Sequence, residues 1–513
     1  MDPGRAVRPT RFQHPEGAMN EAQGRFESRI GEEEGDRREV SIIGLGTSGE
    51  AAARLALHRG EQVYVSDRST NARAAARARE LHTLGAVVQL GLHDLERIAA
   101  SRLVVASPGI PPDAPVLTGL RSRGVSWVSE PEFAIQFYRG SLIAVTGTNG
   151  KTTTAVLAAH LLGSSGIDVA LGGNVGGDLA PPASELAMLA AESDWWVLEV
   201  SSFQLSAIEQ FKPDIGVLTH LAPDHQDRYP DTAAYFADKA QLFRNATPSS
   251  RWVLNGDDPS TLRMAEGVPG QVYLVMSRAP SAAPAAGDGQ RGPAAFIREG
   301  VLTLRIGVDS GGPASEEALV PRKALRLIGH HNVMNALAAA LAARLAGADA
   351  NGIRDGLASF EPLPHRLEAV GENAGVLWVN DSKATNVAAS VGALGSLDRP
   401  VVLLLGGKDK GESFRPLAAA LIGKARAVVL YGEAAPRLES ELSEELSTCP
   451  IGTSTPMLVT ADEGFDAAVA AARSLVREGD VVLLSPACPS FDLFEGYEAR
   501  GRRFSDLAAV MPT

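Results

Sequence analysis

The segment Ser141–Thr154, SLIAVTGTNGKTTT, constrains this chain more than any other. An apolar run from Leu142 to Val145 ends in a glycine turn closing on Gly150, Lys151 and Thr152, and the helix-forming TTAVLAAHLL follows at once. Strand, glycine turn, Lys-Thr and helix form the layout of a phosphate-binding loop. Glycines let successive backbone N–H groups converge on an anion, and the helix N-terminus adds partial positive charge. Lys151 is then placed to reach the outer phosphates and Thr152 to hold Mg²⁺, which makes ATP the expected ligand. The loop departs from G-x-x-x-x-G-K-[ST]: Val145 stands at the first glycine position, and Gly147 comes two residues later.

A chain of 513 residues should hold about three domains, and 45% hydrophobic residues suffice for a core in each. The net charge of −13 argues against nucleic acid as a partner. Two cysteines, Cys449 and Cys488, stand far apart without metal-ligand spacing and suit a reducing compartment. No apolar run is long enough for a bilayer, and no apolar core follows the N-terminal basic residues, so a cytoplasmic protein without a membrane partner is expected. Residues 1–38 are polar and charged and read as a disordered tail, with Met19 an alternative start.

Three α/β units follow from the alternation of apolar strands, glycine turns and helical stretches. In residues 39–138, Gly44, Gly46 and Gly49 make G-x-G-x-x-G after a strand, and Asp67 closes the next strand where a dinucleotide fold binds a ribose hydroxyl. Such a turn admits NAD or the diphosphate of a UDP-sugar. A third strand, LVVASPGI, ends at Ser107–Gly109. The second unit, residues 139–361, surrounds the phosphate loop. Glu199 ends an apolar strand, where a metal-binding carboxylate commonly sits beside such a loop. His225 lies between Asp224 and Asp227, and Asn332 and Asn335 open a helix one turn apart. Ser277–Ala295 is low-complexity and is expected to be a flexible insertion. Two prolines in Glu361–Arg366 mark a hinge into a third unit, residues 362–513, whose strand ends carry Asp381, Lys383, Lys410 and Ser490.

Together TGTNGKT, LEVSSFQL, DHQDRYP, PHRLE, NDSKATN and SPACPSFD resemble the Mur ligase family, over about residues 39–513. NDSKATN and SPACPSFD resemble its D-glutamate-adding branch. The resemblance implies a Rossmann-like UDP-binding domain, a central P-loop ATPase-like domain with a mostly parallel sheet, and a Rossmann-like C-terminal domain. It also implies ATP- and Mg²⁺-dependent joining of D-glutamate to UDP-N-acetylmuramoyl-L-alanine in peptidoglycan synthesis, by a monomer.

By the same resemblance Lys151, Thr152, Glu199 and His225 form an electrostatic clamp, and Lys239 is the family's carbamylated lysine, so that Thr152, Glu199, His225 and Lys239 hold metal. Gly147, Thr148, Asn149, Gly150 and Thr153 complete the nucleotide loop. Asn332 and Asn335 face adenine, and Arg366 with Asp381 the nucleotide phosphates and ribose. Thr47, Asp67, Arg68, Ser107 and Gly109 hold the uridine diphosphate end, and Asn174 the muramoyl portion. Lys383, Thr385, Lys410, Ser490 and Phe491 bind D-glutamate. GGKDKG departs from the GGDGK of some members, which leaves Lys408 and Asp409 without an assigned role. An NAD-dependent dehydrogenase would leave TGTNGKT and the third unit without a purpose. A nucleotide-binding switch protein, or another amide ligase of the superfamily, stays open on the residues alone.

Overall fold

A computed structural model describes residues 39–176, 179–225, 228–279, 291–306, 315–450 and 454–509, so the expected tail over 1–38 lies outside the described residues. Three sheets stand in chain order. The first is parallel throughout, with Val87–Leu90, Val63–Asp67, Val40–Ile43, Leu103–Ala106 and Val128–Ser129 side by side. Its order reverses at the central strand, so a crevice opens beyond the ends of Val40–Ile43 and Leu103–Ala106. Only glycine fits at 49 there, because a Cβ would stand 1.9 Å from the Gly44 carbonyl oxygen.

The central sheet places Ser141–Thr146 between Ile215–Leu218 and Trp195–Glu199, all parallel, with Val169–Gly173 at the edge. On the other side lie Arg251–Asn255 and Gln271–Met276, extended by Arg291–Arg298, Val301–Ile306 and Ser315–Pro321, the last two added antiparallel. The expectation of a flexible insertion over residues 277–295 is therefore corrected at its C-terminal end. Residues 291–295 belong to a strand, and Ala294 and Ala295 are buried against the helices that cover the sheet. Small alanines look like linker composition, but here they let a helix approach the sheet closely. Excising residues 277–295 is expected to abolish soluble, cooperatively unfolding protein, which expression yield and thermal unfolding would check.

The third sheet runs Glu368–Asn373, Val376–Asn380, Val481–Leu484, Val401–Gly406, Ala425–Tyr431 and Met457–Thr460, parallel except for the first pair. That antiparallel hairpin turns through Ala374 and Gly375, both at positive φ.

The first two sheets share one apolar core: Val40, Ile42 and Leu55 are continuous with Leu186, Trp196, Leu205 and Trp252. Two buried carboxylates pin the same junction. Glu130 accepts from Ser184 N at 2.5 Å, and Glu132 accepts from Gln210 N and Phe211 N at 2.7 and 2.8 Å. The third sheet packs mainly in two cores of its own, with Ile328 of the central unit against one of them. It meets the phosphate loop through polar contacts, so its docking is the separable one.

Candidate active site

Local geometry builds the loop. Ser141–Thr146 runs in register with Trp195–Glu199, which pairs Val145 with Glu199 and sets that carboxylate beside the loop. Gly150 takes φ +85° before the helix Lys151–Ser164, and a Cβ on it would meet Asn335 Oδ1 at 2.4 Å. Asn335 is thereby held against the loop backbone, and its Nδ2 donates to Asn332 Oδ1 at 3.1 Å. Thr219 Oγ1 donates to the Asn149 carbonyl at 2.6 Å, and Thr148 Oγ1 donates to that of Ala222 at 3.0 Å, which fixes the curve from two neighbouring segments.

Two cavities flank the loop. One, of about 350 Å³, is lined by Asn149, Gly150, Thr153, Asn332, Asn335, Arg366, Asp381 and Lys383. The other, of about 240 Å³, is lined by Pro108, Gly109, Lys151, Asn174, His225 and Lys239. Between them Thr152 Oγ1 donates to Glu199 Oε2 at 2.6 Å and accepts from Arg366 Nη2 at 2.5 Å. Lys151 Nζ donates to the Thr148 carbonyl at 2.8 Å. Asn174 stands 3.5 Å from Glu199 Oε1.

Lys239 lies in the last turn of the helix Thr232–Ala240, whose start is capped by Asp231, and is 1% exposed. Its Nζ donates to the Gly147 carbonyl at 2.7 Å and lies 4.6 Å from the Tyr235 ring. Burial, followed by the charge of Lys151, holds its amine well below the usual lysine range. Burial likewise lowers Lys151, against the pull of Glu199 and Asp224, and lowers the His225 imidazole. His225 adopts φ +55°, and its backbone N–H donates to Asp224 Oδ1 at 2.8 Å. Asp381 accepts from Ser485 Oγ at 2.8 Å and Leu367 N at 3.2 Å, and burial pushes its carboxyl up to about 7.

The first crevice opens toward the second cavity through Pro108 and Gly109. Ser107 Oγ donates to the Gly44 carbonyl at 3.1 Å. Asp67 Oδ2 accepts from Leu45 N of the glycine turn at 2.5 Å, and its Oδ1 accepts from Ser69 N of its own loop at 2.7 Å, so both oxygens already have backbone partners. Thr47 and Arg68 are exposed on the same rim.

In the third unit the nominated residues divide. Lys383 reaches the first cavity, with Nζ 3.9 Å from the centre of the Tyr497 ring. Thr385 is half-buried and Lys410 exposed. Ser490 is buried, its Oγ without a hydrogen-bond partner among the described residues. Phe491 is 72% exposed and lines neither cavity. The aromatic ring beside Lys383 belongs instead to Tyr497, which sequence reasoning missed. Lys408 pairs with Glu433 at 2.6 Å and Asp409 with Arg437 at 2.5 Å, so the departure in GGKDKG ties this loop to the segment of residues 433–437. Arg500, fully buried, donates to the carbonyls of Ser382, Cys488 and Pro489 and ties together the segments bearing Lys383 and Ser490.

Family profiles match in the same order: a Mur ligase MurD-like N-terminal domain over residues 38–129, a Mur ligase middle domain over 145–343, and a Mur ligase glutamate ligase domain over 365–488. A UDP-N-acetylmuramoylalanine--D-glutamate ligase of Anaeromyxobacter dehalogenans is 40% identical over 476 residues, covering 91% of this chain and 97% of its own. The chain belongs to the Mur ligase family. The ligase of the same name from Acidobacterium capsulatum is 38% identical to this Mur ligase over 92% of its length and 96% of the relative's. Solved structures share the fold. A pseudomurein peptide ligase type C from Methanothermus fervidus superposes with TM-score 0.55 at 20% identity, covering 91% of this chain and 99% of that one. A MurF ligase from Thermotoga maritima in complex with ADP superposes with TM-score 0.54 at 15% identity, covering 92% and 95%. Among the described residues no helix of this Mur ligase is long and apolar enough to cross a membrane.

Proposed function

We propose that this Mur ligase uses ATP to join D-glutamate to UDP-N-acetylmuramoyl-L-alanine, forming an amide in a peptidoglycan precursor. The observation that carries the reading is the pair of cavities on either side of one phosphate loop, with Gly150 lining the first and Lys151 the second. The relatives' shared name supports the choice of acceptor.

In this reading the first cavity takes the nucleotide, with Asn332 and Asn335 toward adenine and Arg366 and Asp381 toward the phosphates and ribose. The second takes the donor carboxylate, whose UDP end lies along Thr47, Asp67, Arg68, Ser107 and Gly109, with Asn174 along the muramoyl portion. A carboxylate oxygen attacks the terminal phosphorus, ADP leaves, and the acyl phosphate is attacked by the acceptor amine, releasing phosphate. Lys151 neutralises charge that grows on the phosphoryl oxygens in the first step. Lys383, Thr385, Lys410 and Ser490, with the aromatic place held by Tyr497 rather than Phe491, orient D-glutamate by its carboxylates.

Thr152 and Glu199 put hard oxygen donors 2.6 Å apart beside the loop, which fits Mg²⁺, an ion commonly held by one or two carboxylates plus substrate phosphates. Thr152, Glu199, His225 and a carbamate on Lys239 would hold it, and it would supply further charge neutralisation at the phosphoryl oxygens.

Phosphate release from ATP with UDP-N-acetylmuramoyl-L-alanine tests the function. D-glutamate should drive it, while L-glutamate, meso-diaminopimelate and L-lysine should not. Turnover driven by another amino acid would move the protein to a different ligase specificity. Burial also pushes the Lys383 amine down to about 8. Its cation is complete well below that value and is lost as pH rises through it. The KM for D-glutamate should therefore climb between about pH 7 and 9. Lys383→Arg, which keeps its charge over that range, should flatten the climb in steady-state profiles.

A further inference from the structure

Asn386 belongs to the third unit, yet its side chain reaches the catalytic loop of the second. It is 7% exposed and caps the helix Val387–Gly395, with Oδ1 accepting from Ala389 N at 2.8 Å. Its Nδ2 donates to Asp224 Oδ2 at 2.9 Å. The other Asp224 oxygen accepts from the backbone N–H of His225, the residue that lines the donor cavity. The amide orientation is forced, because one end faces a backbone donor and the other a carboxylate. A single short amide thus starts the helix that follows Lys383 and Thr385 and grips the turn that presents His225. Among the described residues the third unit's apolar contacts with the central one include Leu363 in the central core and Ile328 against the third unit's core, so this polar contact adds to a small apolar junction.

We propose that Asn386 is a positioning residue for the ligation. Its hydrogen bond to Asp224 holds the acceptor-binding unit closed on the phosphate loop and fixes the turn carrying His225, so that acceptor and donor are brought together only when both units are in register. The inference rests on the ligase reading above. Only an amide can cap the helix and donate across the junction with one side chain of this length. Serine caps but does not reach, and aspartate caps but sets a second carboxylate against Asp224.

The test compares wild type, Asp224→Asn, Asn386→Asp, Asn386→Ser and the exchange Asp224→Asn with Asn386→Asp in full-length protein. In the exchange, residue 224 donates across the junction while still accepting from His225 N, and residue 386 keeps its cap, so all three hydrogen bonds survive with the roles reversed. Because the cap persists in each variant, thermal midpoints should stay near wild type. The turnover number of Asn386→Asp with D-glutamate should fall roughly tenfold or more, the scale expected for a lost hydrogen bond to a charged group. Asn386→Ser should fall similarly, and the exchange should run faster than the separate effects of Asp224→Asn and Asn386→Asp multiplied together, because Asp224→Asn alone also weakens the charge facing Lys151. Wild type inactive with D-glutamate would overturn the ligase reading, and this inference with it. Active wild type with both Asn386 variants within about twofold of it, or an exchange no faster than the separate Asp224→Asn and Asn386→Asp effects multiplied together, would overturn the positioning role alone.

Discussion

Lys151→Ala is expected to lower the turnover number by about a hundredfold or more while leaving the fold intact. The lysine opens the helix behind the phosphate loop and lines the donor cavity, and its one hydrogen bond inside the loop goes to the Thr148 carbonyl at 2.8 Å. Its removal deletes little packing. Burial makes the charged amine costly, and Glu199 and Asp224 offset that cost. A cation kept in such a place contributes most when negative charge accumulates beside it, which is the situation of phosphoryl transfer. Phosphate release at saturating substrates, alongside a thermal unfolding curve, checks both halves. Near-normal turnover in a folded variant would remove the phosphate loop from the chemistry.

Lys239→Ala is expected to lose most activity and to regain part of it with added acetate or formate. The side chain is 1% exposed, its partner is a backbone carbonyl rather than a carboxylate, and burial with Lys151 nearby drives the amine toward its neutral form. A neutral buried amine is the form that adds CO₂, and the adduct turns a disfavoured cation into an oxygen donor suited to a hard metal ion. A small carboxylate diffusing into the vacated end of the 240 Å³ cavity supplies similar oxygens. Intact mass and ¹³C resonance of the wild type under labelled CO₂ give a readout independent of rate. Full activity in the variant, or an unmodified lysine in active, CO₂-replete enzyme, would contradict the carbamate.

Features encoded in short local patterns could be read from the sequence. The phosphate loop, the strand ending at Glu199 and the glycine turn before Asp67 each announce themselves through hydrophobic period and turn residues within about ten positions. Residues 291–295 were misread because small alanines carry the same composition in a linker and in a close-packed strand. The hairpin of Glu368–Asn373 and Val376–Asn380 was missed because its first strand is largely polar and exposed. Contacts between units leave no local trace. Nothing in the spacing of Thr152 and Arg366, or of Asp224 and Asn386, states that their side chains meet. The same blindness put Phe491 in the acceptor pocket by its place in a motif, whereas the fold turns Phe491 outward and brings the Tyr497 ring over Lys383.

The central claim is that the donor carboxylate, held in one cavity, takes the phosphoryl group from a nucleotide in the other before the amine attacks. Labelling the donor carboxylate of UDP-N-acetylmuramoyl-L-alanine with ¹⁸O tests it directly, by mass analysis of the phosphate released during ligation with D-glutamate. An acyl phosphate requires one carboxylate oxygen to leave with the phosphorus, so each phosphate should carry one atom of the label. Phosphate free of ¹⁸O, released alongside amide product whose other labelled oxygen has gone to water, would contradict the account.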